Sequence, residues 1–388
     1  MKEAESFFIG SKGSDMSEGE SVDPNGIQTT TAMDEVGAEI REWVSAQPLR
    51  SNTTDLMTHE EASRPERQIR QNLPQEGDDG VFSQAWFPIC LDREVTTGQV
   101  LGVDFLDGRV VVWRDEEGLA HVTSAYCPHL GASLESGEVI GSTLRCGFHH
   151  WSFDSEGQCV ETAIGDKPPR DACLFVFPTL ERWGIIWAFN GLEPLYDLPD
   201  FPCNADRLIF KSFALPELMP VDPWVQCANT PDIQHIKTLH RISFEGKDPY
   251  EKVQWTDYSM RYSFEGFFDT GASASWDVGI FGTSLYYQSA WLEGRWFGFM
   301  VPMGLPSAGS TRNYFIVAAE RSGDALRDEE FINQCTLTEM GIVGEDTHIM
   351  ESLRFRPGTL TRSDRVIGKF FDYLRAYPRA HPSAPWIR

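Results

Sequence analysis

Apolar positions are spread unevenly along the chain. Over residues 1 to about 80, Ser, Thr, Glu, Asp and Gln dominate, and apolar residues are too sparse to build a core, which predicts a largely flexible acidic extension. Within it Val36, Ile40, Trp43 and Val44 recur at helical spacing ahead of Pro48, predicting one short amphipathic helix. From Trp86 to about Gly191 the text changes to short β-rich runs, VVVW at 110–113 and GIIWAF at 184–189, punctuated by Gly, Asp and Pro. After a Pro-rich linker, residues 224–243 read as a helix with Pro231 near its middle, which implies a kink or a late start. Between about 252 and 320, aromatic and β-branched residues alternate with polar ones, as in a twisted antiparallel sheet. Helical text returns at about 326–355 and 364–375.

These patterns predict an α+β protein in three parts: a flexible extension over 1–80, an all-β module over 81–198, and helices packed on an antiparallel sheet, helix-grip-like, over 199–388. A chain of 388 residues exceeds what one core usually serves, and 41% hydrophobic residues, including 12 Trp and 25 Phe, suffice for two. A formal charge of −25 argues against a nucleic-acid partner, since phosphate contacts need clustered Lys and Arg. No segment has the apolar length of a membrane span, and the first residues lack the apolar core of a signal peptide, so a cytoplasmic location is expected. Eight cysteines over this length do not form a disulfide framework; two have a better use as metal ligands, and the other six are expected to be buried thiols.

The strongest chemical signal is a pair of loops. Cys127 and His129 are separated by one residue, Cys146 and His149 by two, and both pairs lie beside glycines. Two thiolates and two imidazoles suit a two-iron, two-sulfur cluster in which Cys binds one iron and His the other. A structural zinc site takes the same donors, though zinc modules more often keep their Cys and His pairs separate.

CPHLGASL followed by CGFHHWSFD resembles the paired cluster loops of Rieske proteins, in particular those of the Rieske non-heme iron oxygenases, over roughly residues 84–195. The resemblance implies a [2Fe-2S] cluster on Cys127, His129, Cys146 and His149. Respiratory-type Rieske proteins add a disulfide between the loops; the matching positions here are Ala132 and Phe148, so that bridge is impossible. A hydroxyl donor after the second His is also missing. Fewer hydrogen bonds to the sulfurs leave the reduced cluster less stabilised, so a potential near the low end of the Rieske range, about −150 mV, is expected.

A second candidate site lies in the segment Asn229, Thr230, Pro231, Asp232, Ile233, Gln234, His235 to His240. Oxygen-activating non-heme iron uses two His and one carboxylate on one face, with the remaining positions open. His235 and His240 stand five residues apart, a loose match to one helical face that a kink or π-bulge would improve, and two histidines on a helix commonly serve packing or solvation instead. The spacing N-x2-D-x2-H-x4-H resembles the mononuclear-iron motif of Rieske oxygenases, most closely the O-demethylase branch of vanillate and dicamba monooxygenases, whose catalytic α subunits stand alone. That resemblance implies a third ligand at Asp346, with Glu345 and Glu351 as rivals, and places His348 on a solvated face. It further implies that Asp232 links a cluster histidine of one subunit, His149, to His235 or His240 of the next. Asn229 would lie close to the iron without strong ligation; a cap or turn role accounts for it equally well.

Taken together these residues imply an oxygen-dependent monooxygenase that hydroxylates or demethylates a mainly apolar small molecule, with O2 as co-substrate and Fe(II) as second metal. A homotrimer follows from using a neighbour's cluster. Two alternatives use the same residues: a Rieske oxygenase performing cis-dihydroxylation, desaturation or oxidative cyclisation, and a Rieske electron-transfer protein that does not catalyse. No G-x-G-x-x-G fingerprint precedes a suitable helix, so electrons are expected from a separate NAD(P)H-dependent reductase or ferredoxin.

Overall fold

The computed structural model describes residues 73–388, apart from 247, 269, 270, 293, 357 and 359. The helix expected over 36–44 and most of the extension expected over 1–80 lie outside the described residues. The last part of that stretch is fixed to the body. Leu73 and Glu76 are buried, and the Glu76 carboxylate accepts hydrogen bonds from the Ser83 N–H (2.8 Å) and hydroxyl (2.6 Å).

The β-rich runs between Trp86 and Phe189 are too short for one broad sheet and form three small antiparallel ones. Strands Val100–Phe105, Gly108–Arg114 and Ala120–Ser124 make the first; Thr179–Arg182, Ile185–Phe189 and Trp86–Leu91 the second; four strands between Glu138 and Glu161 the third. The first hairpin turns on Leu106 and Asp107, both at positive φ (53° and 58°). A leucine in that conformation is strained. It is held there by burial and by bonds from outside the module: the Leu106 N–H donates to the Leu305 carbonyl (3.0 Å), and the Ala308 N–H donates to the Asp107 carboxylate (2.8 Å).

The second half is one twisted antiparallel sheet. Its main strands are β1 (Leu208–Met219), β2 (Ser259–Phe267), β3 (Ser273–Phe281), β4 (Leu285–Leu292), β5 (Arg295–Ser307) and β6 (Ser310–Glu320), in spatial order β1-β6-β5-β4-β3-β2. Period-two burial is clearest on β2, where Met260, Tyr262 and Phe264 point inward while Ser263 and Glu265 are exposed. The expected helix over 224–243 is instead two short ones, α1 (Pro223–Cys227) and α2 (Ile233–Thr238), because Pro231 occupies the turn between them and Asp232 starts afresh as an N-cap. The long helix α3 (Ala325–Met350) crosses the sheet against β6 and β1, and α4 (Arg365–Ala376) follows. No helix among the described residues is long and apolar enough to cross a membrane. Of the six cysteines outside the paired loops, Cys90, Cys159, Cys227 and Cys335 are buried as expected, whereas Cys173 and Cys203 are partly exposed at loop positions.

The two halves share a core. Trp86, Trp187 and Phe189 from the all-β half pack in one cluster with Leu285, Tyr287 and Met300 from the sheet. The Tyr314 hydroxyl donates to the Ile89 carbonyl (2.8 Å) and the Ser284 hydroxyl to the Trp86 carbonyl (2.7 Å). Trp187 is fully buried and its indole N–H reaches the Arg182 carbonyl at 3.2 Å. Trp187→Ala is therefore expected to destabilise by about 3–5 kcal/mol. Because both halves lean on this side chain, denaturant unfolding followed by fluorescence and by circular dichroism should shift together in one transition; separate transitions would show that the halves fold independently.

Candidate functional site

Two loops bring their Cys and His side chains together in pairs, thiol against thiol and ring against ring. Each is closed in the same way: the Cys127 N–H donates to the Ala132 carbonyl and the Cys146 N–H to the Trp151 carbonyl, both at 2.9 Å and both five residues on. Gly147 is required by close approach, since a Cβ there would fall 2.6 Å from the Ser136 carbonyl oxygen. The thiols of Cys127 and Cys146 are buried and lie against one another, while His129 and His149 pair farther out with ring centroids 4.6 Å apart. Trp151 of the second loop stacks on His129 of the first at 4.3 Å and 8°, joining the loops where a disulfide is absent. Burial and the neighbouring thiol push the Cys127 thiol up to about 12, so a thiolate there needs a bound cation. The buried Nδ1 of His129 has no partner among the described residues. Paired thiols and paired imidazoles, with an unpartnered ring nitrogen, fit a two-iron cluster better than a single ion.

The second constellation is built from α2 and α3. Asp232 caps α2 by accepting the His235 backbone N–H at 3.0 Å. The five-residue spacing of His235 and His240 is accommodated because α2 ends at Thr238, with no π-bulge, and the chain leaves the helix before His240. The two rings then stand 4.4 Å apart at 79°. The Nε2 atoms of His235 and His240 lie 2.9 and 3.4 Å from the same Asp346 oxygen, and the three ligand atoms are mutually within 4.8 Å. Two imidazoles and one carboxylate on one side of a point are the donor set of a divalent metal with open positions.

Glu345, weighed above as a ligand, faces the other side of the ring: its carboxylate is 2.9 Å from His240 Nδ1. A proton held on Nδ1 by that carboxylate leaves Nε2 free to bind a metal. Burial opposes the charge of Asp346, but the two imidazoles outweigh it and hold the carboxyl down to about 2. Burial likewise disfavours charged His240, and Asp346 and Glu345 reverse that effect to raise its pKa. His348 and Glu351 are exposed. Asp232 is not bonded to either ring within this chain, and His235 Nδ1 is buried without a partner among the described residues. Asn229 lies on the wall of the adjacent cavity.

That cavity, 140 Å³ in volume, opens beside the triad and is walled mainly by apolar side chains such as Ile236, Phe264, Trp276, Val278 and Phe299. Alternate strand positions line it, as the sheet pattern predicts: Tyr262 and Phe264, then Trp276 and Val278, then Tyr286 and Gln288. The Tyr262 hydroxyl donates to the Thr230 carbonyl at 2.7 Å and so fixes the turn that leads to His235. Glu339, two helical turns before Asp346 on the same face of α3, also lines the cavity. Burial pushes its carboxyl up to about 7, offset in part by the Gln288 amide at 2.6 Å and by His240. Sequence reasoning missed Glu339, although its seven-residue spacing from Asp346 was a usable signal; it missed Gln226, Gln288 and Asn313, for which strand pairing had to be known.

The Rieske [2Fe-2S] domain family matches residues 85–175. Cholesterol 7-desaturase of Bombyx mori is 34% identical over 171 residues, covering 42% of this chain and 36% of that protein. The oxygenase component of 3-ketosteroid-9-alpha-monooxygenase from Rhodococcus rhodochrous is 31% identical over 109 residues, covering 28% of each. The chain thus matches about a third of these relatives' own length. In overall structure it is similar to crystalline dicamba monooxygenase bound to dicamba, with a TM-score of 0.58 and 20% identity over 76% of this chain and 97% of the other.

Glu345→Gln should weaken metal binding at the triad by roughly ten- to hundredfold, whereas Glu351→Gln should leave it unchanged. Titration of metal-depleted protein with Co(II), followed by visible absorbance, measures both.

Proposed function

Given a chain that carries a Rieske [2Fe-2S] domain and has the fold of Rieske oxygenase α subunits, we propose that it is an oxygen-dependent oxygenase acting on a mainly apolar small molecule. The observation that carries this reading is the convergence of His235, His240 and Asp346 at the mouth of an apolar cavity. An electron-transfer protein that does not catalyse has no use for that pairing of a metal-ligand set with an enclosed apolar space.

In this reading Cys127, Cys146, His129 and His149 hold the cluster, and His235, His240 and Asp346 hold Fe(II). Bound there, Fe(II) would supply the site for O2 activation and the cluster would supply the electrons. Glu345 orients His240 and keeps its proton on Nδ1. Apolar walls exclude water and place the substrate next to the triad. Electrons come from a separate reductase or ferredoxin, in keeping with the oxygenase-component designation of the Rhodococcus relative. Asp232, which caps α2 and bonds neither ring in the single chain, would carry the contact to the cluster of a neighbouring copy in a homotrimer by way of His235 or His240, and Asn229 stays beside the metal as a polar neighbour. Hydroxylation and demethylation are the leading outcomes; the desaturase designation of the Bombyx relative supports desaturation as the second. Steroid oxidations in the names of both relatives make fused-ring molecules the first class to screen.

Anaerobically purified protein should contain about three iron and about two acid-labile sulfide per chain, falling to about two and two in His235→Ala. Equal iron in both proteins would remove the mononuclear site. A redox titration of the cluster should give a midpoint near −150 mV, about the low end of the Rieske range, and a clearly positive value would contradict the missing hydrogen bonds. Asp232→Asn keeps the helix cap, because Asn caps as well as Asp. Turnover should nevertheless fall sharply with both metals bound, and unchanged turnover would take Asp232 out of the electron path.

A further inference from the structure

Among the described residues, three of those lining the cavity own a buried polar atom that nothing in the protein bonds: His235 Nδ1, Gln226 Nε2 and Asn313 Oδ1. The last two belong to one unit. Gln226, from α1, and Asn313, from β6, are bonded to each other through Asn313 Nδ2 and Gln226 Oε1 at 2.9 Å. That single bond uses one group of each amide and leaves one donor and one acceptor unused. Turning both amides over exchanges the roles but still leaves one donor and one acceptor, so the result does not depend on how oxygen and nitrogen are assigned.

An amide pair of this kind is costly to bury half-satisfied, and an apolar core would be served better by two leucines. Asn313 is only 4% exposed. Its strand neighbour across the sheet is Met303, itself a cavity residue, so the amide sits within an otherwise apolar wall. Four residues along β5 is Phe299, paired with Gln288 of the Glu339 network. At about 3.3 Å per residue the two polar features are separated by about 13 Å along the strand, which leaves apolar wall between them.

We propose that Gln226 and Asn313 form the anchor for a hydroxyl group carried by an otherwise apolar substrate. A hydroxyl is the smallest group that donates and accepts at once, so it satisfies both amides. A ketone accepts only and leaves Asn313 Oδ1 unpaired; a methyl group leaves both unpaired. The site should therefore rank alcohol over ketone over hydrocarbon of the same shape, because a buried site built to hydrogen-bond a group rejects the analogue that lacks it. The anchor would also fix how the molecule lies relative to the triad, and so which carbon is presented for oxidation. This assignment rests on the proposed oxygenase reading for its meaning but concerns binding alone.

The test is equilibrium dialysis of the intact, metal-loaded protein with 2-naphthol against 2-methylnaphthalene, and with 2-phenanthrenol against 2-methylphenanthrene, each pair differing by OH for CH3. The wild type should hold the alcohol roughly tenfold or more tighter on at least one scaffold. Asn313→Leu and Gln226→Leu should bring the ratio near one by weakening the alcohol, with the hydrocarbon unchanged or tighter. Retained hydrocarbon binding also shows that the variants are folded. Equal binding of both members by the wild type, binding of neither, or a preference that survives in both variants would overturn the anchor. Iron and sulfide measured on the same samples separate these outcomes from failure of the oxygenase reading, which would appear as a missing third iron while the alcohol preference persisted.

Discussion

Asp346 keeps its charge where burial opposes it, because two imidazoles rest against the same carboxylate oxygen. This one meeting ties a six-residue helix to a 26-residue helix through side chains 111 positions apart in sequence. Its geometry is only as good as the placement of α3, and that helix is pinned at three heights along one face. Asp328 is bound by Arg295 at 2.9 Å, Glu339 by Gln288 at 2.6 Å, and Asp346 by the two histidines. The intervals of eleven and seven residues are three and two helical turns, so all three carboxylates return to the same side. The sheet therefore acts on the triad through polar contacts along α3 as well as through packing.

Much of this was legible in advance for a physical reason. Cys127, His129, Cys146 and His149, the residues proposed to hold the cluster, sit in short loops where the spacing of Cys and His is local, so they could be picked out by reading along the chain. His235 and His240 were found by motif, although their spacing suited no regular helix; the answer was a helix that stops at Thr238 and a turn through Arg241 at positive φ, closed by the Ile242 N–H on the Ile236 carbonyl, and without a glycine such a turn leaves little trace in composition. Pro231 was read as a kink or a late start, and the structure has the late start: Asp232 begins a new helix and caps it.

What could not be read depended on pairing between distant strands and helices. Asn313 bonds Gln226 across 87 residues and Gln288 bonds Glu339 across 51, and neither contact has any local signature. Alternation marked out the two faces of the sheet without telling which aromatic residues meet the cavity: Phe264, Trp276, Tyr286 and Phe299 line it, whereas Tyr287 and Trp296 fill the core shared with the other half. Glu345 was weighed as a rival ligand to Asp346, but only the fold distinguishes a carboxylate that meets both Nε2 atoms from one that braces His240 from behind.

The turn at Leu106 and Asp107 has a consequence for how such proteins can be recombined. Its strained backbone is stabilised by carbonyl and amide groups of the hairpin near Leu305 and Ala308, which lie about two hundred positions later. A chimera that joined this all-β half to a foreign sheet at the Pro-rich linker would keep the strain and lose its support, and would also cut through the cluster around Trp187. The linker is thus a boundary in composition but a poor crossover point. Exchange of the 82–110 and 185–198 segments together with the 300–314 hairpin would move the dependent surfaces as one block.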